Sequence, residues 1–313
     1  MDYVMLGRTG LRVSVMGLGG GGHSRLGHRT GASADASAAI VRRALDLGVN
    51  FIDTAEAYGT EETVGLGIKG HPRGELFIST KKSMRKDGRV ITPAELVAGL
   101  EASLARLGTD YVDIYHLHAV TTDQYEYVLA DLVPELMRQR AAGKIRFLGI
   151  TEQFGEDTGH AMLARAVREE PWDVVMVGFN VLNQSARERV LAETQQRDVG
   201  VLCMFAVRAA LSQPDFLRRT VADLVAAGLV DRDALDPNDP LGFVREDGAA
   251  SSVPEAAYRF CRAEPGIHVV LSGTGNIQHL EENVASLLKP PLPAAVHGRL
   301  VSTFARVDTV SGQ

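Results

Sequence analysis

The stretch LFISTKKSMRKDGRVITPAELVAGLEASLARLGTDYVDIYHLH (residues 76–118) decides the fold. It opens and closes on short apolar runs, LFIST (76–80) and VDIYHLH (112–118). Each has strand length, and near-continuous apolarity suits a strand buried on both faces. Between them, TPAELVAGLEASLARLG (92–108) reads as a helix. Thr92 is placed to cap it, Pro93 fits the first helical position, Glu95 completes a capping box and Gly108 stops it. Strand, helix and strand in this order predict a parallel pair joined by a helical crossover.

The same unit recurs along the chain. Further apolar runs at 13–19, 51–55, 145–151, 174–180, 201–207 and 268–273 bring the predicted strands to eight. Helical spacing marks 35–48, 128–142, 156–169, 184–198, 252–263 and 276–288. Eight β/α rounds in 313 residues predict an α/β protein, a closed (β/α)8 TIM barrel forming a single domain over residues 1–313. Two pieces stand outside the repeat. VMLGRTGLRVS (4–14) predicts an N-terminal β-hairpin around a Gly turn. Residues 209–251 hold an amphipathic stretch (215–228) and a Pro-rich loop, DPNDPLGFVREDG, expected to cover part of the pocket.

Bulk properties exclude several function classes. The net charge is -6, and the lysines and arginines form no basic run. Such a chain has no general attraction for nucleic acid or anionic membrane. Cys203 and Cys261 fit no metal-ligand spacing and are expected to be small buried hydrophobes of a reduced compartment. Arg8 and Arg12 stand where a signal peptide needs an apolar core, and no apolar run nears the roughly 18 residues of a membrane span. The expectation is a soluble, cytoplasmic protein. Oligomeric state is not legible.

A barrel places its chemistry at the C-terminal ends of its strands. Strand two ends at Asp53, with Glu56 and Tyr58 just beyond; strand three ends in Lys81 and Lys82; strand four ends in His116 and His118. A free Tyr has a pKa of about 10, and a lysine ammonium beside it favours the phenolate. An Asp can hold the Lys, and a neutral His can donate a hydrogen bond. Such a Tyr can protonate an alkoxide as it forms from a carbonyl, or take the proton back in reverse. A hydride donor would complete a carbonyl reductase. Strand parity puts His116 and His118 on one face and does not choose between them; it turns Lys82 the other way, toward solvent.

In LGRTGL (6–11), FIDTAEAYG (51–59), FISTK (77–81), LGTDYVDIYHLH (107–118) and GTGNIQHLEEN (273–283), the chain resembles the aldo-keto reductases over nearly its whole length. The resemblance implies a (β/α)8 barrel with a bottom hairpin. It also implies hydride transfer between a nicotinamide cofactor and a small-molecule aldehyde, ketone, alcohol or sugar. By motif, Asp53, Tyr58, Lys81 and His118 match the family's catalytic tetrad, with Tyr58 as general acid or base, Lys81 tuning it, Asp53 anchoring Lys81 and His118 orienting the carbonyl. The resemblance, not the spacing, selects His118 over His116.

It further implies cofactor contacts at Thr151 and Glu152, at Met204 and Phe205, and in the last strand turn and helix. There Gly273, Thr274, Gly275 and His279 precede Glu282 and Asn283, the pair that similar proteins place near adenine. His279 stands where many NADP-preferring members carry Arg, so NADP(H) is favoured by family habit while NAD(H) stays open. Glu152 replaces a usual Asn, and Met176 a usual Gln. The polar groups His23, His28, Glu152 and Arg208 point to a hydroxylated substrate such as an aldose, the sugar-dehydrogenase branch of the family.

Three competing readings remain. Gly17, Gly19 and Gly22 spell G-x-G-x-x-G, but a dinucleotide fingerprint opens straight into a helix, and here HSRLGHRTGASA intervenes. His116 and His118 could serve a metal-dependent barrel hydrolase with Asp53 as third ligand, although no His stands at the ends of strands five to seven. A barrel that binds nicotinamide as a redox sensor or regulatory subunit would turn over slowly or not at all.

Overall fold

In the computed structural model, which describes residues 1–313, the chain opens with β1 (Tyr3–Met5) paired antiparallel to β2 (Arg12–Ser14). The barrel begins with β3 (Met16–Gly19), β4 (Phe51–Asp53) and β5 (Phe77–Ser83). A small antiparallel hairpin follows, β6 (Arg85–Lys86) and β7 (Arg89–Val90). Then come β8 (Val112–Val120), β9 (Ile145–Glu152), β10 (Val174–Gly178), β11 (Gly200–Met204) and β12 (Val269–Ser272). The strands from β3 onward, without the small hairpin, close in the order β10-β11-β12-β3-β4-β5-β8-β9, every pair parallel. This is the predicted TIM barrel, with all eight strands in their expected places.

The N-terminal hairpin stops the barrel floor. Its Leu6, Leu11 and Val13 pack with Phe51, Val174 and Val269 near the bottom of their strands. Fully burying each such side chain is worth about 1.5–3 kcal/mol. Gly7 fastens the plug: at φ 48° a Cβ there would lie 2.5 Å from the Gly200 nitrogen, and the next amide, of Arg8, donates to the Asp198 carbonyl at 2.6 Å. The outer strand faces bury against the helices, as with Tyr115 and Leu117 of β8.

The helix Pro93–Leu107 begins and ends as its sequence dictates. Thr92 Oγ1 accepts from the Glu95 amide, Glu95 accepts from the Thr92 amide, and Gly108 stops the helix at φ 66°. Helices Ala34–Asp46, Val253–Ala263 and Ile277–Leu288 also match their predicted spans within two residues. The region expected at 156–169 is helical only over Ala161–Ala166. The Asp157 carboxylate accepts from the Ala161 and Met162 amides and so starts the helix late, after a left-handed His160.

Elements that went unpredicted include the β6–β7 hairpin, the short helix Ala209–Ser212, the helix Ala294–Phe304 and the helix Glu61–Ile68. The last is masked by Gly65 and Gly67, poor helix formers. Both are required by packing. A Cβ on Gly65 would meet the Leu107 carbonyl at 2.7 Å, and one on Gly67 would meet the Val41 side chain at 2.4 Å. No helix is long and apolar enough to cross a membrane.

Candidate active site

A cavity of about 890 Å3 opens at the C-terminal ends of the barrel strands. A groove of about 860 Å3 lies elsewhere, against helices Glu61–Ile68 and Pro93–Leu107, and gathers none of the predicted catalytic residues. The strand-end cavity, within the usual size range of ligand sites, is therefore the candidate active site.

Asp53, Lys81 and His118 come from β4, β5 and β8, and Tyr58 from the 3-10 turn Glu56–Tyr58 after β4. Lys81 is fully buried. Its Nζ donates to Asp53 Oδ2 at 2.6 Å and to the Thr54 carbonyl at 2.7 Å, and stands 4.9 Å from the centre of the Tyr58 ring. Asp53 Oδ1 accepts from the Ser79 hydroxyl at 2.7 Å. Burial works against the Lys81 ammonium, but the Asp53 carboxylate and then Tyr58 outweigh it, and Lys81 binds its proton more tightly than an ordinary lysine. The site thus contains a fixed, dry positive charge beside the phenol.

Tyr58 Oη lies 3.3 Å from His118 Nε2, and the two rings meet edge to face at 5.4 Å. Burial, followed by the charge of Lys81, pushes the His118 pKa down to about 3. The imidazole is neutral near pH 7 and can present an N–H or a lone pair to a substrate oxygen. Its placement owes something to an irregularity: the β8–β9 register shifts between Leu117 and Val120, and Ala119 has φ 57°. Such a bulge redirects the strand end.

His116 sits one layer deeper, level with Lys81 and Gly149. It is fully buried, and both ring nitrogens lack a protein partner. Burial, then Lys81 and His118, lower its pKa far below the ordinary histidine value. No three His, Cys, Asp or Glu side chains converge on the two histidines.

Lys82 corrects another expectation. Parity does turn it outward from the barrel interior, but not into water: it is 8% exposed, with Nζ 2.9 Å from both Glu56 carboxylate oxygens and its stem against Gly99.

Of the residues expected to contact the cofactor, Thr151, Glu152, Met204, Phe205, Gly273, Thr274, His279, Glu282 and Asn283 line the cavity. Gly275 does not. It lets the strand-one loop approach from behind, since a Cβ there would lie 2.7 Å from Gly27. Thr151 Oγ1 accepts from the Ala119 amide at 2.7 Å. Glu152 is turned into the wall: its carboxylate bonds His160 Nδ1 at 2.9 and 3.0 Å and accepts from the Gly178 amide at 2.8 Å. The helix Ile277–Leu288 starts under an Asn276 cap, with Thr274 Oγ1 accepting from the Asn276 amide.

Met176 faces the barrel interior and touches the same cavity. His23 and Arg208 line it too, whereas His28 is bonded to Thr63 at 2.6 Å and does not. From residues 209–251 only Ala209, Ser212 and Gln213 reach the cavity, a smaller contribution than expected. The glycine run serves packing: no α-helix begins before Ala34, and a Cβ on Gly21 would lie 2.4 Å from the Tyr58 ring.

Sequence reasoning missed several wall residues. Tyr258 and Ser272 are hydrogen-bonded at 2.9 Å, and the Ser272 hydroxyl accepts at 3.0 Å from Asn283, which the sequence did name. His160 lies in a loop, and nothing in its local sequence pointed to Glu152. Gln313 lines the cavity from the far end of the chain.

The aldo/keto reductase family model matches residues 15–303. The chain belongs to the aldo/keto reductase family. L-galactose dehydrogenase of Arabidopsis thaliana is 38% identical over 152 residues, 47% of each chain. D-threo-aldose 1-dehydrogenase of a Pseudomonas species is 28% identical over 233 residues, 65% of this chain and 68% of its own. The similarity thus spans about half the length of the first relative and two thirds of the second. Among solved structures, the holo form of aldo-keto reductase AKR11C1 from Bacillus halodurans superimposes with a TM-score of 0.74 at 24% identity, covering 99% of this chain and 98% of its own. As an aldo/keto reductase, the chain shares that barrel.

Proposed function

We propose that the chain is an NAD(P)-dependent oxidoreductase acting between carbonyl and alcohol, with Tyr58 as its proton donor and acceptor. The observation carrying this reading is the buried Lys81–Asp53 ion pair beneath the Tyr58 ring, with neutral His118 at 3.3 Å from the phenol oxygen. A nicotinamide dinucleotide, when bound, supplies or accepts the hydride at the substrate carbon. The cavity suits such a group: its wall carries the buried, unpartnered Nε of Arg208, and it runs from Tyr58 to Asn283 beside a capped helix start. Thr151, Met204 and Phe205 would bear on the nicotinamide end, and Thr274, His279, Glu282 and Asn283 on the adenine end.

In reduction, Tyr58 gives its hydroxyl proton to the substrate oxygen as negative charge develops there. Lys81 stabilises the phenolate left behind, and Asp53 keeps Lys81 in place. His118 directs the substrate oxygen toward Tyr58 through a neutral hydrogen bond. The reverse sequence oxidises an alcohol. Support for an aldose or another polyhydroxylated substrate comes from the polar wall, His23, Gln213 and Arg208 among it, and from the sugar-dehydrogenase names of the relatives. We place NADP(H) ahead of NAD(H) by family habit.

The test is a fluorescence titration of metal-stripped protein with NADPH and separately with NADH, paired with turnover on an aldehyde and aldose panel. Saturable micromolar binding and turnover that disappears in Tyr58→Phe are expected, with dinucleotide affinity retained in that variant. Near-normal turnover of Tyr58→Phe would sink the mechanism; dinucleotide binding with no turnover on any substrate would favour a sensor.

A further inference from the structure

Arg208 is the only arginine or lysine among the residues lining the cavity. It follows β11 and is largely enclosed, yet its side chain makes no hydrogen bond or salt bridge with the protein, and its Nε is buried without a partner. The carboxylates of the same wall are otherwise engaged. Asp53 is held by Lys81, Glu152 by His160, Glu255 by Arg259 and Lys289, and Glu282 by Gln278. A desolvated guanidinium without a counter-charge is unfavourable and calls for an anion.

The surroundings hold this group in place. Its Cζ stacks 4.0 Å from the centre of the Phe205 ring. Phe205 in turn sits at φ 66°, a left-handed conformation that is costly for a bulky residue, and its carbonyl accepts from Asn180 Nδ2 at 3.3 Å. Its ring meets Phe154 edge to face at 5.4 Å. The guanidinium face is thereby covered, and the N–H groups of its edge remain for a ligand. A planar fork of this kind recognises a pair of oxyanion oxygens.

We propose that Arg208 is an anion anchor of the cavity, binding an oxyanion group of the bound ligand. Two sources share that chemistry: the diphosphate of the dinucleotide and a carboxylate carried by the substrate, as in a sugar acid. This inference rests on the proposed function for the identity of the ligand, but not for the existence of the anion site.

The experiment compares wild type with Arg208→Met, which keeps the apolar stem, and Arg208→Lys. Binding is measured directly for NADH, NADPH, reduced nicotinamide mononucleotide, inorganic pyrophosphate, galactose and galacturonate. Thermal melting is recorded without ligand. The ligand-free melting temperature of Arg208→Met is expected to match or exceed wild type, because an unpaired charge is removed.

If the diphosphate is the source, Arg208→Met weakens NADH and NADPH alike by tenfold or more, and weakens the phosphate-bearing mononucleotide as well. If a substrate carboxylate is the source, dinucleotide binding holds and the preference for galacturonate over galactose falls by tenfold or more. Arg208→Lys should fall between the two proteins in either case. Unchanged affinity for all six probes in a normally folded Arg208→Met overturns the proposal. A wild type that binds no dinucleotide breaks the proposed function instead; Arg208-dependent pyrophosphate binding would then still sustain the anion site, and its absence would end both.

Discussion

Gly149 has no side chain because the His116 ring stands where one would be: a Cβ on Gly149 would lie 2.2 Å from His116 Nδ1. The two residues are paired across β8 and β9, and Lys81 of β5 is the register partner of His116 on its other side. Gly149→Ala should therefore push His116 toward Lys81. We expect a loss of about 1–3 kcal/mol in urea unfolding, the usual range for overpacking a core. A variant as stable as wild type would show that the layer has room to yield.

Lys81 and Asp53 should be separable in folding and in chemistry. Lys81→Met leaves the Asp53 carboxylate buried with Ser79 as its remaining side-chain donor. Removing one partner of a buried pair costs about 3–5 kcal/mol. Turnover should vanish as well. Asp53→Asn keeps the shape of the pocket and an oxygen acceptor for Lys81 but removes its counter-charge, so a smaller loss of stability with sharply reduced turnover is expected. Circular dichroism melts alongside steady-state rates make the distinction, and unimpaired rates in Lys81→Met would remove Lys81 from the mechanism.

Acid should destabilise the fold in part through the histidines of β8. His118 has a folded pKa of about 3, against roughly 6.5 for a free histidine. Between these values the unfolded chain binds the proton and the folded chain does not, so stability falls as pH drops from 6.5 toward 3. His116, depressed in the same direction, adds to the slope. Urea unfolding at pH 7, 6, 5 and 4 should show this decline, and His118→Asn should flatten it by close to one proton. An unchanged slope in that variant would contradict the assigned burial of the ring.

Glu152 and His160 form a second buried pair, with both side chains fully enclosed. Glu152→Leu strands the Gly178 amide and His160 Nδ1 without their acceptor. A loss of about 2–5 kcal/mol is expected from unmet donors. Glu152→Gln retains an oxygen acceptor and should cost clearly less. Equal stability of the two variants in denaturant titration would mean that the pair contributes little.

The motif residues were legible because the barrel repeats a local rule. Asp53, Lys81 and His118 are each read from the end of a strand, and Tyr58 from the turn after one. The cavity wall was legible in outline through short motifs. Arg208 and Glu152 were visible as residue types but not as opposites, one unpaired and the other hydrogen-bonded to His160, because the partner lies in a different turn. Helix Glu61–Ile68 was hidden for the converse reason: its glycines answer to Leu107 and Val41, which local pattern does not report.

Sequence by itself determined the order of the eight barrel strands and most of the helices between them, the N-terminal hairpin and the chemical types gathered at the strand ends. These follow from periodicity and capping, which act over a few neighbouring residues. Only tertiary structure decided that His116 lies beneath the site with both ring nitrogens unpartnered, where Lys82 finds its carboxylate, and which cavity charge is left without a partner. Those outcomes depend on register between strands, on the bulge after Leu117 and on contacts between residues far apart in the chain. Pairing and desolvation are properties of the packed barrel, and they set the charge and reach of each group in the site.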